Sequence, residues 1–188
     1  MIKRCDWAQS TPLMQNYHDY EWGRPVHNEQ KLFEILTLEM FQAGLSWAIV
    51  LKKRETIRQA FLNFDFSRMS QLDVDLLMQN SGIIRYRRKI EAVLHNASRM
   101  QAIQETGGLN QLVWSLVDNK TIDHQVHRID QVPTSSPVAI QLSNDLKSAG
   151  FKFFGPTTVY SFMQAAGVVN DHLVDCIVHD QIGGVNNK

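Results

Sequence analysis

Apolar side chains recur along this chain at intervals of three and four, and no segment sustains the period-two alternation of a half-buried strand. That spacing predicts helices almost throughout and an all-α fold. Leu32, Phe33, Ile35, Leu36, Leu38, Met40 and Phe41 form a broad stripe behind an Asn28 N-cap, with Gly44 placed to end the helix. A second helix runs from Trp47 to about Phe64. Ser70, with Asp73 three residues on, reads as a capping box opening a third helix, which carries Val74, Leu76, Leu77 and Met78 up to Gly82. Ile90, Val93, Leu94 and Ala97 mark a fourth helix, and Leu109 to Val117 a shorter fifth. Ser136-Pro137 with Gly150, and Pro156 with Gly167, bracket two more by the tendency of proline to open helices and glycine to close them. Residues 118–135 are the loosest stretch, and no internal repeat appears. At 188 residues and 44% apolar, residues 1–188 are expected to form a single two-lobed domain with a substantial core.

Nineteen basic and nineteen acidic residues cancel, which excludes a protein that coats nucleic acid or an anionic membrane by bulk charge. The cancellation is not uniform. Residues 51–100 hold ten basic and five acidic side chains, net +5, and the rest of the chain is weakly acidic. The excess concentrates in Lys52-Lys53-Arg54 and in Arg85-Tyr86-Arg87-Arg88-Lys89. Around the second run, residues 76–90 read as helix, glycine turn, helix. Unsatisfied amides and the positive dipole end of the second helix suit a phosphate, as in a helix-hairpin-helix that grips nucleic-acid backbone. An ordinary αα-turn with a basic exposed face is the alternative. The N-terminus carries no secretory signal, and the longest apolar runs fall far short of the ~20 residues that span a bilayer, so no membrane partner and a cytoplasmic location are expected.

Cysteine and histidine show one further pattern. His172 and Cys176 are four apart, on one face if helical, and Cys5 and His18 lie thirteen apart near the other terminus. Together they could form a closed Cys2His2 tetrahedral site joining the segments at about 1–20 and 168–180, which would be structural because four protein ligands leave no open position. A disulfide between the two cysteines, in an oxidising compartment, or two thiols without a role remain open. His124 and His127 show no comparable pairing and are expected at the surface.

Trp7, Tyr17, Tyr20, Trp22 and Trp47 cluster in the first quarter of the chain, and Glu39 interrupts an otherwise apolar helix between Leu38 and Met40. Aromatic residues commonly fill cores. A carboxylate there is costly unless paired or used. Acid and aromatic faces together suit a flat, cationic, hydrogen-bonding ligand.

These segments occur in one order that resembles a known family. Arg4-Cys5-Asp6-Trp7, Tyr17-His18-Asp19-Tyr20-Glu21-Trp22-Gly23, Phe41-Gln42-Ala43-Gly44-Leu45-Ser46-Trp47, Gly82-Ile83-Ile84-Arg85, Gly150-Phe151-Lys152-Phe153-Phe154-Gly155, Tyr160-Ser161-Phe162-Met163-Gln164-Ala165 and Val169-Asn170-Asp171-His172 are similar to the DNA-3-methyladenine glycosylase I family of helix-hairpin-helix base-excision enzymes. The resemblance implies one structural Zn2+ held by Cys5, His18, His172 and Cys176. It implies that Tyr17 and Trp47 stack on the excised base, that Trp22 lines the pocket, and that Glu39 is the catalytic-site acceptor for the base's amino edge. Gly44 and Leu45 would probe the gap left by a flipped nucleotide, and Gly82, Ile83, Ile84 and Arg85 would hold DNA phosphate. The partners implied are alkylated double-stranded DNA and free 3-methyladenine as product, acted on by a monomer without lyase activity. Where the family often has a further pocket tyrosine, this chain has Met14. Two other classes compete: a non-catalytic helix-hairpin-helix DNA-binding or damage-sensing module, and a zinc hydrolase with an open metal shell.

Overall fold

The computed structural model describes residues 2–183; of the tail from Ile177 to Lys188, residues 184–188 lie outside that range. Helices dominate, as the spacing predicts. They are α1 (Pro12–Tyr20), α2 (Glu29–Gln42), α3 (Trp47–Ala60), α4 (Val74–Gln79), α5 (Arg87–Ile103), α6 (Gly108–Trp114), α7 (Pro137–Ser148), α8 (Pro156–Ala165) and α9 (His179–Gly183). Among the described residues no helix is long and apolar enough to cross a membrane.

Helix α2 is the axis of the molecule. Asn28 caps it by accepting from the Lys31 amide at 2.9 Å, and every residue from Leu32 to Phe41 is buried. A helix apolar nearly all round must be enclosed, and α3, α6 and α8 pack around it. Ser136 and Pro137 open α7 as expected, with the Ser136 hydroxyl accepting from the Ala139 amide at 3.1 Å.

Three expectations are corrected. Ser70 does not cap the third helix: it lies in a short 3-10 turn, Met69–Gln71, and Asp73 is the cap, accepting from Asp75 N at 2.7 Å and Leu76 N at 3.1 Å. The all-α reading omits a two-residue parallel strand pair, β1 (Ile122–Asp123) with β2 (Val169–Asn170), extended by a bridge between Val126 and Leu173. Two residues cannot display alternation. That pair ties the loose stretch 118–135 to the segment entering His172. Finally, His124 is only partly exposed and hydrogen-bonds the carboxylate of buried Asp171 at 2.5 Å.

Candidate functional site

Helix α1 starts at Thr11, whose hydroxyl accepts from the Met14 amide at 3.1 Å, with Pro12 at its first position. Its inward face carries Met14, Tyr17 and His18, all buried. Tyr17 turns toward α2 and α3, and His18 turns toward the C-terminal segment. One short helix therefore serves two neighbouring sites.

The first is a cavity of about 230 Å³, below the ~300–1,000 Å³ typical of drug-sized ligands and suited to something smaller and flat. Trp7, Met14, Tyr17, Trp22 and Trp47 form its apolar walls, and Glu39, Gln42, Ser161 and Gln164 supply the polar groups. Tyr17 and Trp47 lie 5.2 Å apart between ring centroids at 42°. At that tilt a planar ligand cannot lie parallel to both rings. Trp7 packs edge-on against Trp22 at 5.0 Å. Tyr20 is not part of this wall; it is 69% exposed and lines a separate cavity.

Glu39 is 6% exposed and makes no hydrogen bond or ion pair with any described residue. Burial alone pushes its carboxyl up to about 8. Buried Glu34 on the same helix shows the ordinary solution: Arg58 reaches it through Nε and Nη2 at 2.9 and 2.6 Å, and Lys31 at 3.3 Å. Burial also raises the Tyr17 hydroxyl, with the Glu39 and Glu21 charges adding to it and Arg54 opposing. Arg54 is held by both oxygens of Glu21 at 2.6 and 2.8 Å.

The second site is the cluster of Cys5, His18, His172 and Cys176. All four are buried, and their ligand atoms lie within 4.8 Å of one another, so they could hold a metal ion. Both cysteines are free thiols, with no disulfide between them. Cys176 Sγ is 3.4 Å from His18 Nε2 and 3.7 Å from His172 Nδ1, and Cys5 Sγ is 3.7 Å from His172 Nδ1. The outer nitrogens are engaged. His18 Nδ1 donates to Asp19 at 2.8 Å, Asp19 is gripped by Arg4 at 2.8–3.0 Å, and His172 Nε2 donates to the Trp22 carbonyl at 3.2 Å. Those bonds select the tautomer that points a lone pair from each ring into the cluster. Gly23 permits the approach: at φ +79° it accepts a conformation side chains avoid, and a Cβ there would lie 2.9 Å from His172 Nε2.

The two sites share a wall. The Trp22 ring meets the His172 ring edge-on at 4.6 Å, and Trp7 meets His18 at 5.2 Å. Whatever fixes the histidines also fixes two walls of the cavity.

The remaining expected residues lie on turns. Gly44, at φ +86°, and Leu45 follow α2, with Leu45 38% exposed. Lys89 of α5 donates to the Phe41 and Ala43 carbonyls at 3.2 and 2.8 Å, closing the end of α2. In the turn between α4 and α5, Ile83 is buried, Ile84 is half-buried and Arg85 is exposed. The Gly82 amide already donates to Asn80 Oδ1 at 2.9 Å, so a phosphate here would meet the Arg85 side chain and the start of α5 rather than that amide. A second helix pair, α7 and α8, is joined by the turn at 150–155, where Asn96 of α5 accepts from the Lys152 amide at 2.9 Å and donates to its carbonyl at 3.1 Å.

Sequence reasoning did not single out Gln42, Ser161 or Gln164, which are ordinary polar residues in helical segments. Asp171, where Tyr160, Gln164 and His124 converge, stands within a segment that carries the resemblance but was given no role there.

Comparison with known proteins adds to this geometry. The model of the methyladenine glycosylase family matches residues 7–179. A protein of Haemophilus influenzae named DNA-3-methyladenine glycosylase is 47% identical over 180 residues, covering 94% of this chain and 97% of its own. A crystal structure of 3-methyladenine DNA glycosylase I superposes with a TM-score of 0.91 at 47% identity, covering 94% of this chain and 100% of that one. A Staphylococcus aureus structure, described as the basis of 3-methyladenine recognition by 3-methyladenine DNA glycosylase I, superposes at 0.88 with 38% identity, covering 94% and 96%.

Proposed function

The chain belongs to the methyladenine glycosylase family, and from that membership we propose the reaction its cavity performs: hydrolytic release of 3-methyladenine from alkylated DNA, as a base-excision repair glycosylase. The observation that carries this reading is Glu39, a buried carboxyl with no protein partner among the described residues, in an aromatic cavity of about 230 Å³. A damaged nucleotide is flipped out of the duplex into that cavity. Methylation at N3 makes the purine cationic. Aromatic faces attract such a cation, and its charge favours ionisation of the buried Glu39 carboxyl, which then pairs with it. Unmodified adenine is neutral and gains neither.

The same charge explains how little acid catalysis is needed. When the bond between the sugar C1′ and the purine N9 breaks, its electron pair neutralises the base, which leaves without taking a proton. The sugar becomes oxocarbenium-like, water adds at C1′, and the water's proton passes to solvent. Glu39 and the DNA phosphates are the anions that stabilise the developing positive charge. No lysine lines the cavity among the described residues, which supports a monofunctional glycosylase with no Schiff-base intermediate.

The donor set at Cys5, His18, His172 and Cys176 fits Zn2+. Tetrahedral coordination with Zn–S near 2.3 Å and Zn–N near 2.05 Å places sulfur and nitrogen ~3.6 Å apart; three of the four sulfur–nitrogen pairs lie at 3.4–3.7 Å, and all the ligand atoms lie within 4.8 Å of one another. Four ligands and tautomer-setting outer partners support a structural ion. Its contribution is to join the chain's two ends, and a hydrolase needing an open shell finds none in this set. We read residues 1–188 as one two-lobed domain acting as a cytoplasmic monomer on double-stranded DNA. In that reading, Leu45 enters the gap left by the flipped nucleotide, and the basic turn at 82–85, as a helix-hairpin-helix, meets backbone phosphate.

Incubating methylated duplex DNA with the wild type and with Glu39→Gln, and identifying the released bases, tests the reading. The wild type is expected to release 3-methyladenine and the variant to be slower by about a hundredfold, as for loss of one charge-stabilising group. A wild type that releases no 3-methyladenine would overturn it.

A further inference from the structure

Gln164 lies on α8 and lines the base cavity, but its amide is not free to turn. Its Nε2 donates to Asp171 Oδ2 at 2.7 Å. Asp171 is 2% exposed, and its carboxylate also receives the Tyr160 hydroxyl at 2.7 Å and His124 Nδ1 at 2.5 Å. A carboxylate accepts and does not donate, so only the amide's N–H side can face it. The carbonyl oxygen Oε1 must then point elsewhere. It has no hydrogen-bond partner among the described residues and is not fully buried, on a residue that lines the cavity. Buried network and half-buried tip together make an acceptor of fixed orientation.

We propose that Gln164 determines specificity by presenting this carbonyl oxygen to the amino group of the flipped purine, and that Asp171 is the positioning residue that holds it so. The inference rests on the glycosylase reading above. An exocyclic amino group carries two N–H donors, and the cavity's lining offers it the Glu39 carboxyl and Gln164 Oε1, neither with a protein partner; the Gln42 amide also lines the cavity, but no protein bond fixes which of its ends faces inward. Adenine-type bases carry an amino group at C6, whereas guanine-type bases carry an oxygen there. Cation attraction alone cannot separate 3-methyladenine from 3-methylguanine, because both are positively charged when attached to the sugar. A fixed carbonyl can, since it bonds an amino group and repels an oxygen. A swivelling amide could not, because it would turn its N–H2 toward the oxygen and accommodate either base. Anchoring by Asp171 removes that option.

The experiment uses the full chain and DNA methylated to contain both 3-methylpurines, with released bases separated by chromatography. Gln164→Leu keeps the approximate shape and removes the acceptor. It is expected to lower kcat/KM for 3-methyladenine by about tenfold or more and to lower the 3-methyladenine to 3-methylguanine ratio by about tenfold. Asp171→Asn is expected to lower the ratio in the wild-type background and to leave it unchanged in the Gln164→Leu background. A merely structural role for Asp171 would lower both rates together and leave the ratio alone. If Asp171→Asn does not fold, Gln164→Leu decides the question, because Gln164 is half-exposed. A folded Gln164→Leu whose ratio stays within about twofold of wild type overturns the proposal while leaving the glycosylase reading intact. A wild type that releases neither base overturns both.

Discussion

Glu34 and Glu39 stand five residues apart on α2, both buried, and only Glu34 has cations on it. The consequence for Glu39 can be measured as stability. Burial raises its carboxyl from 4.5 to about 8, so the folded protein holds this proton more tightly than the unfolded chain. Stability from this group is therefore complete below pH ~4.5 and falls as pH rises toward 8. An uncharged amide at this position has no such dependence. Thermal melts are expected to show Glu39→Gln and wild type nearly together at pH 4.5 and the variant several degrees higher at pH 8, at ~2–4 °C per kcal/mol for a chain of this size. A gap that does not widen with pH would mean that the carboxylate is compensated in the folded state. Glu39 was legible in the sequence because an acid between leucine and methionine in a buried helix is costly. Gln164 was not, because its importance comes from Asp171, seven residues away, and from Tyr160 and His124 meeting there.

At the scale of elements, the turn after α2 has the most direct functional consequence. Gly44 reverses the chain, Leu45 is exposed, and Lys89 of α5 fixes the turn by its bonds to Phe41 and Ala43. Leu45→Ala is expected to weaken damaged-duplex binding by about tenfold, the equivalent of ~1.4 kcal/mol of lost apolar contact. Lys89→Met should do the same to a lesser degree. Titration with free 3-methyladenine should give wild-type affinity for both, because neither side chain lines the base cavity; a loss there would place Leu45 in base binding instead. Helices α2, α7 and α8 were readable because cap, proline and glycine signals agree with their apolar spacing. Helix α1 was missed although Thr11-Pro12 is a start signal, because its inward face mixes Met14 and Tyr17 with polar His18. At Ser70 the serine–acid spacing matched a capping box, but Asp73 was closer to the apolar run and took the cap.

Across the whole molecule, the Cys5, His18, His172 and Cys176 cluster closes the chain on itself, with Cys176 and His18 158 residues apart. A cross-link closing so long a loop stabilises by ~4–5 kcal/mol if the entropy of the unfolded chain dominates. Cys176→Ser is expected to lose bound metal by elemental analysis and to melt about 10 °C lower, while the fraction that stays folded retains most of its base-release rate. An equal loss of rate in folded, stable protein would argue for a metal that takes part in the reaction. The order in which the ribosome delivers the ligands adds a temporal constraint. Helix α2 and its neighbours can condense during synthesis, but Trp7 and Trp22 lean on histidines whose partners include Cys176. The cavity wall thus waits for the synthesis of Cys176, at ~5–20 residues per second, so a nascent chain that has not yet reached that residue has no finished receptor for a damaged base.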